Sequence, residues 1–126
     1  RRKRERYEQA VEQIQCRHIG VVGSFVVGLP DDTAETFDRL YQFIYSTCLY
    51  GTNITVSTPF PGTRMYDDLK AQGVALSSDW SRYDGFTLLY DLPHLDRADF
   101  ERCYTRLIER INSPERLSRV VRYFMR

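Results

Sequence analysis

The residues with the chemistry to do work in this 126-residue chain are few, and their spacing sorts them. Cys16, Cys48 and Cys103 carry thiols that bind metals or attack electrophiles, but they stand far apart rather than in a short Cys-x-x-Cys unit. Cys48 and Cys103 fall on apolar helical stripes, where cysteine serves as a small core residue. His18 has Cys16 nearby but no neighbouring carboxylate or second histidine, and His94 is isolated in Leu92-Pro93-His94-Leu95. Neither predicts a metal site. Asp31-Asp32 and Asp67-Asp68 are paired carboxylates of the kind used in acid–base catalysis. Each pair also sits near a helix start, where the macrodipole favours negative charge. Tyr83, Tyr90 and Tyr104 are candidates for lining a pocket or donating a hydrogen atom, and their spacing equally suits a core. No side chain is assigned a catalytic role on this basis.

A subtler pattern is an alternation of small and polar residues. Ser24 and Gly28 fall on one side of a β-branched run, and Asn53, Thr55 and Ser57 on one side of another. An open polar face beside a bulky apolar one suits a ligand cavity, and it suits simple solvation of a sheet edge just as well.

The elements that must hold these faces follow from periodicity. Residues 2–17 predict a helix, with Tyr7, Ala10, Val11 and Ile14 on one stripe. Val21 to Val27 predicts a strand, covered on both sides, and Gly28-Leu29-Pro30-Asp31-Asp32 a turn. Asp32 and Glu35 have capping-box spacing ahead of a helix that carries Phe37, Leu40, Tyr41, Ile44 and Cys48. Gly51 ends that region, and Asn53 to Thr58 predicts a second strand. Pro59-Phe60-Pro61-Gly62 makes a rigid loop, after which Thr63 caps a helix through Gln72, with Gly73 as its stop. Phe86 to Tyr90 is a candidate third strand. Asp96 caps one further helix, and Ser113-Pro114 starts the last. Strands alternating with helices imply an α/β fold with a parallel sheet.

Composition removes several function classes. The net charge is +1, which excludes a generally basic nucleic-acid binder, and the 13% aromatic content excludes a disordered chain. Arg1-Arg2-Lys3-Arg4-x-Arg6 is the one cationic cluster, and Glu5, Glu8 and Glu12 follow at spacings that pair with it along a helix. An odd number of cysteines predicts a reducing, cytoplasmic setting. The chain starts in helical periodicity without an initiator Met, which predicts a piece of a longer protein.

Gly23-Ser24-Phe25-Val26-Val27-Gly28-Leu29-Pro30-Asp31-Asp32, then Ile54-Thr55-Val56-Ser57-Thr58-Pro59-Phe60-Pro61-Gly62-Thr63, then Asp79-Trp80-Ser81-Arg82-Tyr83-Asp84-Gly85-Phe86, together resemble the C-terminal half of a radical SAM core. The likeness spans about residues 6–112. It is nearest to the branch with an upstream cobalamin-binding domain, which includes hopanoid methylases and the anaerobic cyclase of magnesium-protoporphyrin monomethyl ester. The resemblance implies a partial β/α barrel over residues 1–112 and a helical extension over 113–126. It also implies an S-adenosylmethionine pocket. Ser24-x-Val26-x-Gly28-x-x-Asp31 stands where the family carries G-x-I-x-G-x-x-E beside the adenine, with Ser, Val and Asp as departures. Ser57, Thr58 and Pro59 stand at the next strand exit, facing the adenosyl group. The C-x-x-x-C-x-x-C loop that holds the family's four-iron cluster is absent from this sequence, so the resemblance places the cluster ligands outside this chain. The implied partners are the N-terminal half of the same barrel, a cobalamin-binding domain and a small-molecule substrate. The implied activity is a cobalamin-dependent methyltransferase or an oxidative cyclase. A non-catalytic adapter and an RNA-modifying relative are the alternative readings.

Overall fold

The computed structural model describes residues 2–126, so Arg1 of the cationic cluster and the side chain of Arg2 lie outside the described part. The chain is α/β. Helix α1 (Arg2–Gln15) leads into strand β1 (Val22–Val27), helix α2 (Ala34–Ser46), strand β2 (Gly51–Val56) and helix α3 (Arg64–Ala71). A single 3₁₀ turn at Trp80–Arg82 precedes α4 (Arg97–Ile111) and α5 (Pro114–Phe124). Among the described residues the sheet has two strands, β1 and β2, paired in parallel with Ser24 opposite Asn53 and Val26 opposite Thr55.

The strand faces divide as the alternation predicts. Val27, Ile54 and Val56 are buried and Phe25 is half-buried, whereas Val22, Ser24, Val26 and Asn53 are exposed. One face therefore rests on α2 and α4, and the opposite face is open. The covered side is closed by an edge-to-face contact between Phe37 and Phe100 at 5.6 Å, and by Ile44, Leu107 and Ile111. Each such side chain contributes about 1.5–3 kcal/mol by leaving water. At the rim, Arg110 donates to Asp38 at 2.8 Å and lies over the Tyr41 ring.

Gln15 ties the lower end of the sheet together. It is 1% exposed, and its amide nitrogen donates to the carbonyls of Thr47 at 2.9 Å and Cys48 at 3.3 Å. Its oxygen accepts from the N–H groups of Tyr50 at 3.2 Å and Val21 at 3.4 Å. One side chain thus joins the end of α1, the end of α2 and the starts of both strands. Beside it, the buried Arg116 of α5 donates to the Leu49 carbonyl, and burial lowers its guanidinium pKa from the ordinary value.

Several local expectations are corrected. The apolar stripe of α1 meets the core only in part: Val11 is half-buried against it, but Tyr7 is 65% and Ile14 42% exposed, and the residue that α1 buries fully is the polar Gln15. Helix α2 stops at Ser46, and Cys48 adopts φ 49° in the turn beyond it, so Cys48 is buried without belonging to the helical stripe. Strand β2 begins at Gly51, the residue expected as a terminator, and ends at Val56 rather than Thr58. Asp32 is not the cap of α2. Thr33 holds that position, and its N–H donates to the Thr36 hydroxyl at 3.1 Å.

Phe86 to Tyr90 forms no strand. The Val56 N–H does reach the Gly85 carbonyl at 2.6 Å, but the ladder ends there. The Asp84 carboxylate captures the N–H groups of Phe86 at 2.8 Å and Thr87 at 2.9 Å, the donors that a third strand would need. These bonds lower the Asp84 pKa, the bond from Phe86 most of all. The segment instead runs on as irregular chain that buries Leu88, Leu89 and Tyr90 under the sheet.

Candidate functional site

The C-terminal ends of parallel strands are where open α/β sheets bind ligands, because the loops there diverge and leave a crevice. Here that end is built from the exits of β1 and β2. The Ser57 N–H donates to the Val27 carbonyl at 2.7 Å, which sets Gly28 beside Ser57. Beyond Ser57, the Thr58 hydroxyl donates back to the Val56 carbonyl at 3.0 Å, and Pro59 is fully buried. Thr63 then caps α3 by accepting from the Tyr66 N–H at 3.3 Å, as the sequence predicts.

The β1 exit is held by a carboxylate. Gly28 takes φ 83°, a left-handed conformation that favours glycine. The turn that follows is closed by Asp32, one of whose oxygens accepts from the N–H groups of Gly28 at 2.8 Å and Leu29 at 3.0 Å. Asp32 is 8% exposed, whereas its neighbour Asp31 is exposed and stands outside this network.

Tyr90 completes the arrangement from the far side. Its phenol donates to the Gly28 carbonyl, and the Ser57 hydroxyl donates to the Met65 sulfur at 3.5 Å. Burial raises the Tyr90 pKa above its ordinary value of 10.0; the Ser57 hydrogen bond opposes the shift and the Asp32 charge adds to it. Both polar groups of the Gly28 peptide are therefore held by side chains. A shallow cleft opens next to this point, with Pro30 on one wall, Arg64, Met65 and Leu69 of α3 on the other, and Tyr90 at its base.

The predicted site residues thus fall into two groups. Gly28, Ser57, Thr58 and Pro59 come together at the exits. Ser24 and Val26 lie lower on the open face, Ser24 about 13 Å along the strand from Gly28 at roughly 3.3 Å per residue. Asp31 joins neither group. A Cβ at Gly28 would meet Leu88, Val56 and Phe100 at 3.3–3.4 Å, so its missing side chain faces the core and not the open surface. Asp32 and Tyr90, which the sequence offers as an acid–base carboxylate and a pocket-lining tyrosine, are the groups at this exit that spacing alone did not assign to it.

The other candidates are accounted for locally. All three tyrosines donate to backbone carbonyls: Tyr83 to Ser77 at 2.8 Å, Tyr104 to Ile54 at 3.2 Å, and Tyr90 to Gly28. Among the described residues, no three His, Cys, Asp or Glu side chains gather where a metal could bind. Arg4 pairs with Glu8 at 2.8 Å along α1. No helix among the described residues is long and apolar enough to cross a membrane.

No protein-family model matches the chain. Among curated proteins it is 28% identical over 85 residues to the bacteriochlorophyllide d C-8(2)-methyltransferase of Chlorobaculum tepidum, covering 68% of this chain and 19% of that protein. It is 28% identical over 87 residues to the bacteriochlorophyllide d C-12(1)-methyltransferase of the same organism, covering 69% and 19%. An uncharacterized methyltransferase of Pyrococcus horikoshii is 30% identical over 85 residues, covering 68% and 18%. These relatives carry methyltransferase names. The matched stretch is about a fifth of their length.

Proposed function

We propose that this chain forms the S-adenosylmethionine-side wall of a radical SAM methyltransferase of the cobalamin-dependent type. The observation that carries the reading is the meeting of Gly28 with Ser57-Thr58-Pro59 at the ends of two parallel strands, above an open face, in a chain whose relatives are named methyltransferases. Bound S-adenosylmethionine supplies the activated methyl and adenosyl groups of such chemistry. The chain's own residues bind and orient it. Val26, 55% exposed, offers an apolar patch to the face of a purine, and Ser24 and Asn53, paired across the strands, offer hydroxyl and amide groups to its edge. Ser57 and Thr58 face the sugar end at the exits.

An iron–sulfur cluster does not fit the residues present. Cys16 is exposed, Cys48 buried and Cys103 half-buried, and among the described residues no three ligating side chains converge. The cluster and the cobalamin belong, in this reading, to other parts of the same polypeptide, whose neighbouring strand pairs with the outer edge of β1. Two of the relatives are named for bacteriochlorophyllide d, which makes a flat tetrapyrrole the first substrate class to try.

Calorimetric titration of the intact protein with S-adenosylmethionine tests the reading. Val26→Asp, which puts a charge on an exposed face and leaves the core untouched, should weaken binding at least tenfold with the fold retained. Unchanged affinity in Val26→Asp would remove the open face from the cofactor site.

A further inference from the structure

The exits of β1 and β2 are linked by one backbone bond, from Ser57 N–H to Val27 carbonyl, and then diverge into two loops. What holds the β1 exit beyond that point is a side chain 62 residues away from Gly28 in sequence. Tyr90 arises from the irregular segment after Gly85, is 4% exposed and donates its phenol to the Gly28 carbonyl. From the other side, Asp32 holds the Gly28 and Leu29 N–H groups. The segment bearing Tyr90 is itself pinned, because Arg97 donates to the Leu88 carbonyl at 2.6 Å and to Asp91 at 3.2 Å.

We propose that Tyr90 is a positioning residue for the ligand-binding ledge, holding the β1 exit through the Gly28 carbonyl, next to the bond from Ser57 N–H to Val27 carbonyl that joins it to the β2 exit. It acts through these residues rather than by touching the cofactor. The inference rests on the cofactor reading given above only for what occupies the ledge; the coupling of the two exits is a property of the chain itself. A rigid pocket binds more tightly than one that must be ordered on binding, because ordering opposes affinity. Removing the phenol oxygen therefore loosens the β1 exit and, through the bond between Ser57 N–H and the Val27 carbonyl, the exit beside it.

The molecule contains its own control. Tyr104 makes the same phenol-to-carbonyl bond, to Ile54 in the middle of β2 and away from the exits. Tyr90→Phe and Tyr104→Phe each remove one such bond. In the intact protein, Tyr90→Phe should weaken S-adenosylmethionine binding about tenfold, the equivalent of one hydrogen bond. It should also speed hydrogen exchange of the Leu29 and Ser57 amides. Tyr104→Phe should change binding less than twofold and leave those two amides alone. Incorporating 3-fluorotyrosine at position 90, which keeps the shape and sharpens the donor, should slow the same two amides and covers the case in which Tyr90→Phe does not fold.

Equal effects from Tyr90→Phe and Tyr104→Phe, or unchanged exchange at Leu29 and Ser57, would overturn the positioning role. Failure of the wild-type protein to bind S-adenosylmethionine would instead overturn the cofactor reading. In that case the exchange pattern alone decides for or against Tyr90.

Discussion

Gly28→Ala isolates why the β1 exit needs a glycine. Two separate costs are visible. The φ of 83° is a left-handed conformation, which opposes an L side chain by about 1–2 kcal/mol. The added Cβ would also stand 3.3 Å from Leu88 Cδ1, 3.3 Å from Val56 Cγ1 and 3.4 Å from Phe100 Cε2. All three neighbours are at least nine-tenths buried, with 5%, 2% and 2% exposure, so none can swing aside freely. Crowding a packed core in this way costs about 1–3 kcal/mol, and the two effects together reach about 2–5 kcal/mol.

Gly73 supplies the comparison. Its φ is 77°, and nothing lies within 4 Å of where its Cβ would be. Gly73→Ala should therefore cost only the backbone part, about 1–2 kcal/mol. Urea unfolding reads the difference as a lower midpoint at unchanged slope for Gly28→Ala relative to Gly73→Ala. In thermal scans the gap should be about 4–12 °C, from a packing cost of about 1–3 kcal/mol at roughly 4 °C per kcal/mol for a chain of this size. Equal losses in the two variants would refute the packing argument. Gly28 would then be explained by φ alone, and its Cβ direction would again be free to face a ligand.

Three further outcomes follow from other parts of the molecule. The outer edge of β1 pairs with no other strand among the described residues, and Val22 and Val26 on its open face are 61% and 55% exposed. Sedimentation of this chain should show concentration-dependent association that Val22→Lys suppresses, and a monomer at every concentration would refute it. Gln15→Leu should destabilise the chain by about 3 kcal/mol, because it takes the partner from two N–H groups and two carbonyls that are buried or half-buried, and a loss below about 1 kcal/mol would show that water replaces the amide. Burial raises the Tyr90 and Tyr104 pKa values above the ordinary 10.0, so the folded state holds those protons more tightly than the unfolded chain. Their contribution is complete below pH 10 and is lost as the pH climbs above it, so Tyr90→Phe should flatten the alkaline decline in stability; an identical slope would count against this.

The strand faces were legible because alternation is local: Val22, Ser24 and Val26 against Gly23, Phe25 and Val27 is a pattern of period two that needs no tertiary knowledge. The caps were legible for the same reason. Thr63, Asp96 and Ser113 each accept from the N–H three residues on, as their positions predict. The α1 stripe was misleading because helical spacing says that residues share a side, not that a partner covers it. Tyr7 and Ile14 share a side and face outward.

Asp32 shows where local reading reaches its limit. An aspartate just before a helix has two sets of N–H groups within reach, those of the helix ahead and those of the turn behind. The sequence favours the first, because capping is common and the spacing to Glu35 fits. The left-handed Gly28 decides for the second, by turning the Gly28 and Leu29 N–H groups toward the carboxylate. Once Asp32 holds those donors, the Gly28 carbonyl faces the other way, toward the buried Tyr90 phenol, its partner across 62 residues. The site at the strand exits is thus the consequence of one backbone angle: a reading by residue type names Gly28, Asp32 and Tyr90 separately, and the conformation of Gly28 brings them together.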